Sequence, residues 1–167
     1  MSKAVVALAF GIPASLHSNK CVALSASEQA KKLGGVPIFT QLGMKMHYDL
    51  PAIQVPGEYP GHWANTMQMA HAAVRWAKEN GVTELWVAAA TPHMWRSLRD
   101  FRYAVAAVGA LITIRECPQA KHFTNNDWFR LESEQLHTRS KWHWLLWELP
   151  LRCIPMSLYT KLTDSPF

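Results

Sequence analysis

The sequence predicts an α/β fold: a mostly parallel sheet of about five strands with helices on both faces, Rossmann-like, followed by a tryptophan-rich α-helical C-terminal arm. Two observations predict it. Short, continuous apolar runs alternate with stretches whose apolar residues recur at helical spacing. Glycine, proline and asparagine then punctuate the junctions between them.

The first element is KAVVALAF, residues 3–10, apolar throughout as a strand covered on both faces must be. Gly11-Ile12-Pro13 ends it. A helix is expected over 19–33, with Asn19 as cap, Val22, Ala26, Ala30 and Leu33 on one face, and Gly34-Gly35 as the stop. VPIFT, residues 36–40, reads as a second strand. QLGMKMHYDLP is irregular, and AIQV, residues 52–55, reads as a third strand. After the loop PGEYPGH, Met67, Ala70, Val74 and Ala77 form the inner stripe of a helix over 65–80. ELWVAAA, residues 84–90, is the fourth strand. Thr91 is a good N-cap and Pro92 suits the first helical position, and Met94, Leu98, Phe101, Val105 and Val108 carry that helix to Gly109. LITIRE, residues 111–116, completes the sheet.

Residues 1–117 thus form the core and 118–167 the arm, a single domain overall. Trp128, Trp142, Trp144 and Trp147 lie in the arm, half of the eight tryptophans. A helix is expected over 132–149, with Pro150 and Pro155 breaking the chain beyond it. The bland expectation is an arm packed on the core. The sharper one is a homodimer contact or a membrane-surface element, because WHWLLWELPLRCIPMSLY is apolar with scattered charge.

Bulk composition narrows the classes. Hydrophobic residues at 49% and charged residues at 17% exclude a disordered chain. The net charge of +5 favours an acidic ligand, anionic lipid or nucleic acid and is too mild to choose between them, but no basic run or recognised motif supports nucleic acid. No apolar stretch is long enough to span a membrane. The opening residues read as a buried strand and not as an export signal, so a cytoplasmic location is expected. Three cysteines without a Cys-x-x-Cys pattern indicate neither a disulfide framework nor a zinc site. None of the eight histidines lies in a His-x-x-x-His pair, so no metal is expected.

In a parallel sheet, ligands gather at the carboxyl ends of the strands. TPHMWRSLRDFR, residues 91–102, leaves such an end with a histidine and three arginines where helices ordinarily favour acids. An anion in front of that helix accounts for the choice. Arg96 can grip a phosphate or carboxylate, and His93 can donate to it or exchange a proton. Arg99 and Arg102 read as solvated surface charges. The third loop adds Glu58 as the candidate base, with Asn65 and Thr66 as ligand contacts or simple helix caps. Thr91, Ser15 and Asn19 complete the candidate ligand-binding set. There is no Gly-x-Gly-x-x-Gly pattern, Walker loop or Gly-x-Ser-x-Gly elbow.

His93-Met94-Trp95-Arg96 after ELWVAAA, Asn65-Thr66-Met67-Gln68, GVPIFTQ and ELPLRCIPMSLY together resemble the YdcF/SanA/ElyC-like family, bacterial domains of largely unknown function. The resemblance implies a Rossmann-like sheet with a polar cleft for a small anionic, nucleotide-like or phosphate-bearing ligand, an S-adenosyl compound among them. Transferase or hydrolase chemistry would suit such a cleft. Some members of the family are associated with the bacterial envelope and carry membrane anchors, whereas this sequence contains no such segment. It also departs from the family pattern at Met69, where an Asn is usual, and in QLGMKMHYDLP, which is shorter than the family's acidic helix. The alternative is a non-catalytic interaction module that uses the tryptophan-rich arm.

Overall fold

The structure is a computed structural model that describes residues 2–55 and 64–163. Five strands, all parallel, make one sheet: β1 (Ser2–Ala7), β2 (Ile38–Gln41), β3 (Ala52–Val55), β4 (Val82–Ala88) and β5 (Thr113–Glu116), in the order β3-β2-β1-β4-β5. Burial follows that order. Ala4, Val5, Val6 and Ala7 of central β1 are wholly buried, while the edge strands β3 and β5 alternate between exposed and half-buried positions. A strand covered on both faces can only be apolar, and an edge strand need not be.

Helix α1 (His17–Lys32) connects β1 to β2, α2 (Thr66–Glu79) precedes β4, and α3 (Thr91–Val108) connects β4 to β5. The first crossover leads toward one edge of the sheet and the last two toward the other. Right-handed crossovers therefore put α1 on one face and the contacting pair α2 and α3 on the opposite face. The direction of winding across the sheet reverses between β1 and β4, which opens a crevice at their carboxyl ends.

Two boundaries differ from the sequence reading. α1 begins at His17, so Asn19 is inside the helix and does not cap it. α3 is preceded by Ala90 in an extended conformation, so Thr91 is its first residue and not its cap. The Thr91 hydroxyl donates instead to the Ala120 carbonyl at 3.1 Å.

The arm packs on the core through a 3₁₀ turn at Pro118–His122, α4 (Asn125–Trp128), α5 (Lys141–Cys153) and α6 (Met156–Thr163). The helix expected over 132–149 begins later. Residues 133–138 instead form a turn in which the buried Ser133 and Thr138 hydroxyls bond at 2.7 Å, and Ser140 caps α5. Gly11, at φ +95°, lets this turn approach the end of β1. A Cβ there would stand 2.8 Å from Ser133 Oγ. Pro150 does not stop α5, which continues to Cys153. The carbonyl that loses its partner belongs to Leu146, an exposed residue, where water can satisfy it. Among the described residues no helix is long and apolar enough to cross a membrane.

Candidate functional site

The chain leaving β1 is braced before it reaches α1. Asn19, 1% exposed, accepts the Phe10 N–H at 2.7 Å and donates to the carbonyls of Gly11 and Pro13. The Ser18 hydroxyl donates to the Phe10 carbonyl. Gln41, at the end of β2, accepts the Ala9 N–H and donates to the Ala64 carbonyl at 2.9 Å. Asn65 then closes a capping box on α2 with Gln68, and its amide donates to the Thr163 carbonyl of α6 at 2.7 Å. Side-chain amides thus hold three loops in place at one edge of the sheet.

Between these loops and the arm lies a cavity of about 470 Å³. That size suits a small metabolite. Phe10, Trp144, Trp147, Leu151 and Leu162 give it apolar walls, and Gln41, Asn65, Thr66, His93, Arg96, His137 and Tyr159 bring polar groups to it. The His137 and Trp147 rings stack, with centroids 5.1 Å apart and planes 15° apart.

His93, in the first turn of α3, is 4% exposed. Its Nε2 bonds the Thr66 hydroxyl at 3.0 Å, and its Nδ1 is buried without a hydrogen bond. Burial, and next the Arg96 charge, hold its pKa well below the usual imidazole range. His93 is therefore neutral at pH 7, whereas Arg96, which also lines the cavity, carries a charge there.

Arg96 stands one turn along α3. Its Nε donates to Glu148 Oε2 at 2.9 Å and its Nη1 to the Tyr159 hydroxyl at 3.2 Å. Tyr159 in turn donates to Asp100 Oδ2 at 2.8 Å. Arg99 grips Asp100 Oδ1 through Nε and Nη2 and donates from Nη1 to the Leu151 carbonyl. It also lies over the Tyr159 ring at 4.3 Å, so it is not the solvated surface charge expected, whereas Arg102 is exposed. Arg152 reaches Glu148 Oε1 at 3.4 Å. Burial raises the Asp100 pKa and lifts Tyr159 to about 12. The cluster joins α3, α5 and α6, and holds three arginines against two carboxylates.

Among the residues expected to form a site, His93, Arg96, Asn65 and Thr66 line this one cavity. Thr91 and Asn19 are absent from its lining and serve the backbone as described. Ser15 and Asn19 border a separate hollow of about 280 Å³. Glu58 lies outside the described residues. The sequence reading missed Gln41, Asp100, Glu148 and Tyr159 as partners. Glu148 had a signal, a lone acid in the apolar helix WHWLLWELPLRC, which calls for a buried cation. Tyr159 had none.

Comparison of the chain with family models, curated proteins and solved structures found no match.

Proposed function

We propose that this protein binds a small metabolite made of a planar ring and an anionic group, nucleotide-like or phosphate-bearing, in the cavity at the carboxyl edge of the sheet. One observation carries the reading. Arg96 lines the cavity, and its Nη2 makes no hydrogen bond among the described residues, although Nε and Nη1 are committed. Within the cluster the buried Arg96 and Arg99 face Glu148 and Asp100, and the more exposed Arg152 adds a third cation, so an anion at Arg96 Nη2 would take up its free donor. The flat faces of Trp144, Trp147 and His137 supply stacking area for a ring. Neutral His93 can hydrogen-bond such a ligand or take a proton from it, which leaves room for transferase or hydrolase chemistry. The resemblance to the YdcF/SanA/ElyC-like domains leads to the same ligand class.

The test is calorimetric titration with adenosine monophosphate and with adenosine. The double variant Arg96→Gln with Glu148→Gln removes both charges and keeps their volume. Monophosphate affinity should fall by roughly 10- to 100-fold, the scale of a charge-assisted bond, and adenosine binding should change little. Equal affinities for the monophosphate in the variant and the parent chain would rule the reading out.

A second reading draws on the outer face of α5. Trp142, Leu146 and Leu149 recur at helical spacing and are 75%, 74% and 54% exposed. That stripe suits contact with another copy of the chain.

A further inference from the structure

Three side chains on the α1 side of the sheet meet away from the cavity. His17 and Cys21 stand one helical turn apart at the start of α1, and Asp127 belongs to α4. One ligand atom from each lies within 4.8 Å of the other two. His17 Nε2 is 3.1 Å from Asp127 Oδ1 and 3.4 Å from Cys21 Sγ. None of the three lines the cavity.

Hydrogen bonding alone accounts poorly for this meeting. One ring nitrogen faces both a carboxylate oxygen and a sulfur, and a single N–H serves only one of them well. A cation at the centre would serve all three. Around zinc, with ligand bonds of about 2.0–2.3 Å, tetrahedral donors stand roughly 3.3–3.6 Å apart. The two separations from His17 Nε2, 3.1 and 3.4 Å, fall close to that edge length, and Cys21 and Asp127 lie within 4.8 Å of each other. Asp127 is fixed by the capping box of α4. Its Oδ2 accepts the Thr124 N–H and hydroxyl, both at 2.8 Å, which leaves Oδ1 turned toward His17.

We infer that His17, Cys21 and Asp127 form a binding site for a divalent transition metal of zinc type, held by imidazole, thiolate and carboxylate. The mixed nitrogen, sulfur and oxygen set suits borderline-soft Zn²⁺ and not Mg²⁺ or Ca²⁺. On binding, the Cys21 S–H bond breaks, the proton leaves to solvent and the sulfur pair forms the metal bond. His17 and Asp127 are partly open to solvent, with half and about a third of their side chains exposed, so water has access to a fourth position. The metal would tie α1 to α4, and so the arm to the core.

Titration of the full chain with Co²⁺ and Zn²⁺ under reducing conditions tests the site. Co²⁺ should bind one equivalent, with a thiolate charge-transfer band and visible bands of tetrahedral intensity, and Zn²⁺ should displace it. Cys21→Ser should abolish the charge-transfer band, and Asp127→Asn should weaken Zn²⁺ binding at least tenfold. His17→Gln, at an exposed position that leaves the fold intact, should do the same. Cys153→Ser, which removes an exposed thiol elsewhere, should leave the spectrum unchanged. Absence of a thiolate band in the parent chain, its survival in Cys21→Ser, or unweakened binding in His17→Gln would each overturn the inference.

Discussion

Glu148 is 1% exposed, and each of its oxygens is taken by a different arginine, Arg96 on one side and Arg152 on the other. Removing the acid leaves the largely buried Arg96 with the Tyr159 hydroxyl as its remaining hydrogen-bond partner. Glu148→Ala should therefore cost about 3–5 kcal/mol of stability, measured by urea unfolding. Glu148→Gln keeps a hydrogen-bond acceptor for Arg96 and should cost less. A loss below about 1 kcal/mol for the alanine variant would mean that Arg96 finds solvent in the folded chain. The same residue marks what the sequence could disclose. His93 and Arg96 were legible because an apolar strand followed by a proline-bearing helix start fixes which end of the sheet they occupy. Their pairing was not, because Glu148 and Tyr159 lie 52 and 63 residues away; the lone acid in an apolar helix calls for a cation without saying which one, and Tyr159 carries no such mark.

At the scale of elements, the core helices and strands were legible from periodicity, and their ends shifted by a few residues where local hydrogen bonds decided. Asn19 has the chemistry of a cap, yet it bonds the backbone of Phe10, Gly11 and Pro13 from within the helix. His17 and Cys21 are at i and i+4, a metal-ligand spacing that a search for paired histidines or paired cysteines passes over. The arm was the least legible part. Its tryptophans serve opposite ends: Trp128 and Trp144 are buried at 1% and 3%, whereas Trp142 and Trp147 are 75% and 51% exposed. Trp144 inserts its ring beside Phe10 and His93 and donates to the Pro92 carbonyl. If the outer stripe of α5 contacts a second copy, Trp142→Ser with Leu146→Ser should turn a dimer into a monomer in sedimentation equilibrium without changing the melting profile of the monomer. A parent chain that sediments as a monomer at high concentration would leave the stripe without that role.

Across the whole molecule, the sheet order brings the cavity, the buried arginine cluster and the core into one thermodynamic unit, and pH should reveal the coupling. His93 and His137 both line the cavity, and burial, reinforced by Arg96, holds both below their ordinary pKa of 6.5, His137 at about 4 and His93 well below 6.5. Unfolding frees them to take up protons near pH 6.5. Below that pH the unfolded chain thus binds more protons than the folded one, and stability must fall with falling pH. The slope is at most about 1.4 kcal/mol per pH unit for each histidine, and less for partly exposed His137. Asp100 works in the opposite sense, since its raised pKa lets the folded chain hold a proton that the unfolded chain releases above about pH 4. Between pH 7 and pH 5 the histidines outnumber it. The melting temperature should therefore drop steadily across that interval, and His137→Asn should make the drop shallower. A melting temperature flat from pH 7 to pH 5 would mean that His93 and His137 accept protons in the folded state, and that the cavity is open enough to stabilise imidazolium beside Arg96.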